Sequence, residues 1–386
     1  MLIRTRNLKM ARSAHAYVRG STAKFYEWLE AGDSKLPAGP SVWICGDCHL
    51  GNLGPLADAK GRVAIQIRDL DQTVIGNPAH DLVRLGLSLA SAARGSDLPG
   101  VTTARMLEEL TGGYEQALAG DFDEGGAKTE RPKVIDAVVR QALKRRWRHL
   151  AEERIEDVKP TIPLGKHFWA LTRSERLALE ELCHGDTVRA LVTALKGRGD
   201  KDPVELVDVA YWMKGCSSLG RSRYAALLRV GCSGADEHLC LLDLKEGATA
   251  AAPRRVDAKM PRDNAERVVA GARALSPHLG QRMAAARLLD RSMVIRELTP
   301  QDLKIEVDQL SQSEAMAVAR YLGGVVGQAH GRQMDPDSRR GWLAALTRDR
   351  GAALDAPSWL WSSVVELVSL HEAAYLEHCR RYALAT

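Results

Sequence analysis

The sequence has no apolar run long enough to cross a membrane, so it predicts no spanning helix. It opens with MLIRTRNLKMARSAHAYVRG, which is basic but has no apolar stretch behind it, and no signal peptide is expected. The seven cysteines follow no framework of spacings. That argues against a disulfide scaffold and for free thiols in a reducing, cytoplasmic setting. Neither sign of charge dominates: 54 Lys and Arg against 49 Asp and Glu give a net +5. So mild a bias is not the footprint of a nucleic-acid binder. The densest basic run, Lys144 to His149, reads as a solvated helix face, with contact to an anionic ligand as the alternative. Aromatic residues are scarce, at 5%, which constrains function little, while an ordinary apolar share of 45% can fill a sizeable core. There is no internal repeat and no low-complexity segment.

What is present falls into three stretches. Residues 12–31 place Ala14, Tyr17, Val18, Phe25, Trp28 and Leu29 at helical spacing. A Pro/Gly break at Leu36 to Pro40 leads into a short apolar strand, Ser41 to Cys45, and then the loop GDCHLGN. A turn at Asp58 to Gly61 enters a second strand, Arg62 to Asp71, and Asp81 reads as a helix start. Residues 101–200 read as helices and loops, closed by the linker GRGDKDP at 197–203. The pattern then changes: ELVDVAYWMKG, RYAALLRVG, HLCLLDLKEG and SMVIREL are strand-like runs, interrupted by the helix PRDNAERVVAGARAL with Asp263 or Asn264 as its N-cap. Two long helices, SEAMAVARYLGGVVGQAH and PSWLWSSVVELVSLHEAAYLEHC, end the chain.

Chemistry concentrates in the first stretch. Asp47 lies on a loop after a strand, Asn52 follows five positions later, and Asp69 ends the next strand. A carboxylate, an amide oxygen and a second carboxylate at one end of a hairpin make a nest of hard oxygen ligands suited to magnesium. Phosphoryl transfer needs this set: one carboxylate orients the attacking hydroxyl and takes its proton, while Asn and Asp hold the metal. GDCHLGN resembles the catalytic loop of aminoglycoside and choline kinases, Gly-Asp-x-His-x-Gly-Asn, and IRDLDQTVIGNPAHDL resembles their metal-binding segment. The resemblance implies Asp47 as catalytic base, Asn52 and Asp69 as magnesium ligands, Asp71 as a nearby helper, and Asp81 as a structural anchor at a helix N-terminus. It departs where those kinases place His before Gly-Asp; here the residue is Cys45.

A second segment, KGCSSLGRSRYAALLRV, resembles a kinase glycine-rich loop between two strands, and the next strand ends in Lys245. The resemblance implies that Gly215, Ser217, Ser218 and Gly220 let the backbone approach the phosphates of ATP, that Lys245 reaches them, and that Glu266 on the following helix pairs with Lys245. Glu246 is a competing carboxylate. In kinases these pieces precede the catalytic loop, whereas here they follow it, an order that circular permutation explains. The chain as a whole also resembles a bacterial domain family of unknown function, numbered 2252, through YVRG, CGDxHLGN, the Asp-x-Asp strand, the glycine loop and the lysine strand.

The implied fold class is α+β: a bilobal protein-kinase-like fold, circularly permuted, with a small β-rich lobe and a larger helical lobe. Residues 1–203 form a helical part with the catalytic loop, 204–300 a β-rich nucleotide-binding lobe, and 301–386 the helices that complete the helical lobe. The implied function is transfer of a γ-phosphoryl group from ATP, with Mg2+, to a hydroxyl on a small molecule or protein. The expected partners are a nucleotide and that acceptor, with no nucleic acid and no membrane. Two alternatives share these residues: a nucleotide-binding scaffold of pseudokinase type, and adenylyl transfer. Cys45, Cys48 and His49 also match a c-type haem spacing, part of a zinc site or a redox dithiol. The plain reading makes the cysteines apolar filler and His49 a loop organiser.

Overall fold

Strands concentrate in the middle-to-late chain and helices on either side of it. A computed structural model describes residues 2–32, 36–124, 129–154, 161–213, 221–231, 238–305, 310–348, 350–351 and 354–382. Three short helices come first, α1 (Leu2–Met10), α2 (Ala14–Gly20) and α3 (Thr22–Ala31). The helix expected over 12–31 is thus divided at Ser21, whose backbone leaves the helical region. Strand β1 (Val42–Ile44) follows, then a 3-10 turn at Leu50–Asn52, the hairpin β2 (Leu53–Ala57) and β3 (Val63–Ile67), and β4 (Val74–Gly76). Helices α4 (Ala79–Gly95), α5 (Gly100–Ala119), α6 (Lys133–Lys144) and α7 (Trp147–Arg154) lead to β5 (Phe168–Trp169), α8 (Arg173–His184) and α9 (Asp186–Thr193). The strand-rich stretch holds β6 (Val204–Trp212), β7 (Arg223–Val230), β8 (His238–Glu246), α10 (Asn264–Leu275), α11 (Pro277–Gly280), β9 (Met283–Leu288) and β10 (Arg291–Leu298). The chain closes with α12 (Gln312–Gly331), α13 (Pro336–Arg348), the small pair β11 (Arg350–Gly351) and β12 (Leu354–Pro357), and α14 (Ser358–Tyr382). The protein is therefore a mixed α+β structure with a sheet lobe and a helical lobe.

The six-stranded sheet runs β5-β6-β7-β8-β10-β9, antiparallel throughout. Side chains of a strand alternate between faces, and β7 and β8 bury both. Tyr224, Ala226, Leu228, Cys240, Leu242 and Leu244 meet α8 and α9 through Leu179, Cys183, Val188 and Leu191. Ala225, Leu227 and Leu241 meet Leu150 and Ala151 of α7 on the other face. The same alternation puts Arg223, Asp243 and Lys245 on the α7 face. Residues 173–193, assigned from the sequence to the helical part that ends at 203, share one buried cluster with the sheet.

In the helical lobe, α5 and α12 lie so close that a side chain at Gly113 or Gly323 would collide with the opposing backbone. α2, α4 and α14 pack together, and α1 reaches α14 where His378 meets the Asn7 carbonyl at 2.8 Å. Both chain ends therefore build one core, with Val18, Phe25, Leu85, Val318, Leu322 and Leu360 in a single buried cluster. The helices at 12–31 and 312–330 join through α4 and α5. Among the described residues, no helix is long and apolar enough to cross a membrane.

Candidate active site

After β1 the chain turns at Gly46, where φ is +75°. A side chain there would be strained and would strike the Gln72 carbonyl, so glycine is required. Asp81, fully buried in the first turn of α4, accepts hydrogen bonds from the backbone N–H of Cys45 at 2.7 Å and of Gly46 at 3.0 Å. His330 of α12 meets the same carboxylate at 3.1 Å, Tyr114 meets His330 at 2.9 Å, and Trp342 donates to the Tyr114 hydroxyl at 3.1 Å. The Tyr26 hydroxyl donates to the Gly46 carbonyl.

Asp47 extends from this pinned loop. Its Oδ1 accepts from Arg84 Nε at 3.0 Å, and Arg84, wholly buried, also donates to the Val18 carbonyl at 2.7 Å. Arg84 lies three residues after Asp81, so both project from one face of α4: one holds the loop backbone, the other its carboxylate. The second Asp47 oxygen lies 3.8 Å from His49 Nε2. Burial lowers the His49 pKa to about 4, against the pull of Asp47, so the ring is neutral at pH 7. Asn52 Nδ2 donates to the Asp47 carbonyl at 3.0 Å, and the Asn52 amide oxygen has no partner among the described residues.

The β2–β3 register pairs Leu53 with Ile67, and the Arg68 N–H extends it to the Asn52 carbonyl at 2.7 Å. Asn52 and Asp69 therefore leave the hairpin at the same end. Asp69 keeps an accessible surface although protein groups crowd around it. Burial alone would raise its pKa, but Lys245, the Asp71 N–H and Arg296 together hold it below the usual value. Asp71 is shifted up, by burial and then by Asp69, against the pull of Lys245. Lys245, projecting from β8, forms an ion pair with Asp71; burial opposes its charge, yet Asp71 and Asp69 raise its pKa. The structure thus brings Asp69, Asp71 and Lys245 together across the two lobes, beside the loop that carries Asp47 and Asn52.

Glu266 is placed elsewhere. Asp263 caps α10, accepting from the Ala265 and Glu266 N–H groups at 2.9 and 3.0 Å. That makes Glu266 the third residue of the helix, where its side chain is exposed and has no ion pair among the described residues. The pairing with Lys245 read from the sequence is replaced by Lys245–Asp71. The next residue, Arg267, turns inward and donates to the carbonyls of Asp71 at 2.9 Å and Ala248 at 2.6 Å, and to that of Thr73. Gly215, Ser217, Ser218 and Gly220 lie outside the described residues.

The donor set fits magnesium. Asp47, Asp71 and Asp243 are each ion-paired, with Arg84, Lys245 and Arg223. Asp69 has no ion pair within 4.0 Å among the described residues, and the free Asn52 oxygen belongs to the same hairpin end. No group of three or more acidic, His or Cys side chains converges among the described residues. Magnesium suits such a sparse set, because it is usually held by one or two carboxylates with water and substrate phosphates completing the shell. Cys45 and Cys48 are wholly buried, and their thiols are raised. For Cys45 the causes are the hydrogen bond to Cys48, then burial; for Cys48 the hydrogen bond with Cys45 lowers the pKa, and burial, Asp81 and Asp47 together more than offset it. Such thiols stay protonated and inert, and they pack behind the loop.

Arg84 and Arg267 were not among the residues read from the sequence. Each has one signal there, an arginine inside an otherwise apolar helix face, LVRLGLSLA and AERVVAGA.

Compared with known proteins, no curated sequence and no solved structure matches this chain. A family model described as an uncharacterized protein conserved in bacteria (DUF2252) matches residues 1–381, and the chain belongs to that bacterial family.

Proposed function

We propose that this protein is an ATP-dependent phosphotransferase with a circularly permuted kinase-like arrangement, acting on a hydroxyl of a small molecule or protein. The observation that carries the reading is the convergence of Lys245, from the third strand after the linker, with Asp69 and Asp71 beside the Asp47–Asn52 loop. Kinases use a third-strand lysine on the α- and β-phosphates and loop Asp and Asn residues on the hydroxyl and the metal. The packing of α2, α4, α12 and α14 into one core supports the permuted order, since segments on either side of the sheet lobe in sequence build the same helical lobe.

In this reading Arg84 holds Asp47 as an oriented anion and leaves its second oxygen to accept the proton of the acceptor hydroxyl. The hydroxyl oxygen bonds to the γ-phosphorus as the bond to the bridging oxygen breaks, and ADP leaves. Asn52 and Asp69 would hold magnesium, which supplies charge neutralisation at the phosphates. Lys245, released from Asp71, would reach the same phosphates. The test is incubation with γ-labelled and α-labelled ATP. Label transferred from the γ position only is the expected result. Label from the α position would reassign the protein to adenylyl transfer, and no label from either, with nucleotide still bound, would make it a binding module.

A further inference from the structure

The basic run at 144–149 is not one solvated face. Arg146 and Arg148 are exposed, but the Arg145 side chain is only 11% exposed and donates to the Pro300 carbonyl at 2.6 Å. The helix that follows, α7, ends in Arg154, which turns into the protein. There it comes under the charge of Glu153, Arg296, Asp243 and Asp302, and Arg68 has Arg296, Asp302, Arg154 and Asp69 as charged neighbours. Arg68 crosses over Gly54, where any side chain would meet its Cδ at 2.6 Å. Arg296 donates to the Arg68 carbonyl at 3.1 Å.

Hydrogen bonds and ion pairs are shared unevenly in this cluster. Asp302 is shared by Arg282, at 2.8 and 3.3 Å, and Arg296, at 2.7 Å. Arg145 has its own carboxylate, Glu153, at 2.7 Å. The Arg68 side chain donates only to the Asp302 carbonyl, at 3.2 Å, and the Arg154 side chain has no hydrogen bond among the described residues. The Nε–H groups of Arg68, Arg154 and Arg296, and the indole N–H of Trp147, are buried donors without acceptors. Buried charges of one sign held together are costly unless an anion joins them. Neither Arg68 nor Arg154 has a salt-bridged carboxylate within 4.0 Å among the described residues, although Glu153, Asp243, Asp302 and Asp69 lie around them; a phosphate group, with a charge of about −2 near neutral pH, would pair with both guanidinium groups. Arg also suits multidentate recognition of phosphate oxygens.

We propose that Arg68, Arg154 and Arg296 form a binding site for a phosphate-class oxyanion beside Asp69. The further assignment of that anion to the acceptor, as a phosphate group it already carries, rests on the phosphotransferase reading.

The test is thermal stabilisation by inorganic phosphate and by glycerol phosphate, each against chloride at equal ionic strength. Both should stabilise the wild type. Arg154→Gln should weaken binding by roughly tenfold or more, the loss expected for a charge-assisted hydrogen-bonded contact, with its fold checked by circular dichroism. Arg68→Gln is the second variant should the first misfold. Arg148→Gln, from the exposed part of the same basic run, should behave as wild type. The shift should survive Lys245→Ala. Its loss there, or displacement of phosphate by ATP alone, would mean that the anion site is the nucleotide's own and overturn the proposal. So would absence of a phosphate shift in the wild type, or a shift unaffected in both Arg154→Gln and Arg68→Gln. A monoester that binds more tightly than free phosphate identifies a group on a larger ligand; equal binding identifies the free ion. Labelled-ATP transfer is measured separately. Phosphate binding without transfer fails only the acceptor assignment, and transfer without phosphate binding fails only the anion site.

Discussion

On the helical side of the candidate site, the loop carrying Asp47 hangs from buried groups on α3, α4 and α12, whereas on the sheet side Lys245 is held by one carboxylate from the opposite lobe. Asp81, Arg84 and His330 are essentially without solvent contact; the Lys245 and Asp71 side chains keep 13% and 24% of theirs. The first arrangement is largely set before a ligand arrives, because Asp81 and His330 are already hydrogen-bonded, although Arg84 Nη1 and His49 Nδ1 are buried without partners. The second is an exchangeable contact, whose lysine can trade a carboxylate for another anion. Precision is built into the wall that would orient the hydroxyl, and adaptability into the wall that would meet the nucleotide.

Removing Asp81 should break the first wall most severely. Asp81→Ala strands two buried N–H groups and His330, and should destabilise the protein by on the order of 3–5 kcal/mol, measured by denaturant unfolding. A loss below about 1 kcal/mol would mean that the loop does not depend on this anchor. Asp47→Asn leaves those anchors in place. It should reduce transfer by roughly 10²–10⁴-fold, as loss of a general base does, with nucleotide affinity largely retained; surviving turnover would move the base to Asp71.

Acid should act on the same wall. Burial holds His49, His80 and His371 at pKa values of about 4, well below the ordinary 6.5. Between those limits the unfolded chain binds more protons than the folded one, so stability falls as pH drops from about 6.5 toward 4. Each group can contribute up to about 3 kcal/mol across that window. Unfolding curves at stepped pH should show the slope, and His49→Gln should flatten it; a flat wild-type profile would contradict the burial of these rings.

The sheet-side wall should be softer. Asp71→Asn removes the interlobe ion pair but leaves Asp69 near Lys245, and should cost about 1 kcal/mol, close to the value of partly exposed pairs. An effect equal to that of Asp81→Ala would erase the contrast between the two walls. The smallest effect belongs to Glu266→Ala, expected within about 0.5 kcal/mol in stability and neutral in ATP affinity. A large loss of affinity would restore the pairing with Lys245 that the structure replaces.

The legible parts of this molecule are those whose signal is local. GDCHLGN and IRDLDQ are contiguous, and the strands β6, β7, β8 and β10 stand out through their apolar, β-branched and aromatic runs. Strand β9 escapes such reading because MAAARL is rich in alanine, which favours helix; its pairing with β10 decides its conformation. Arg84 and Arg267 are hidden for another reason. Their roles depend on which face of a helix turns inward, and at α10 a shift of one residue exchanges Glu266 for Arg267. The cluster of cations around Arg68 and Arg154 joins segments about 86 residues apart, so no local pattern announces it.

The tie between Asp81 and His330 spans 249 residues. At a synthesis rate of about 5–20 residues per second, roughly 12–50 s separate the two as the chain emerges from the ribosome. Through that interval α4 and α5 have neither α12 nor α14 to cover their apolar faces, although the Asp47 loop that they support has already been made. The Asp47 loop is thus completed only once α12 has been made, and until then the uncovered helices are a natural client surface for a chaperone.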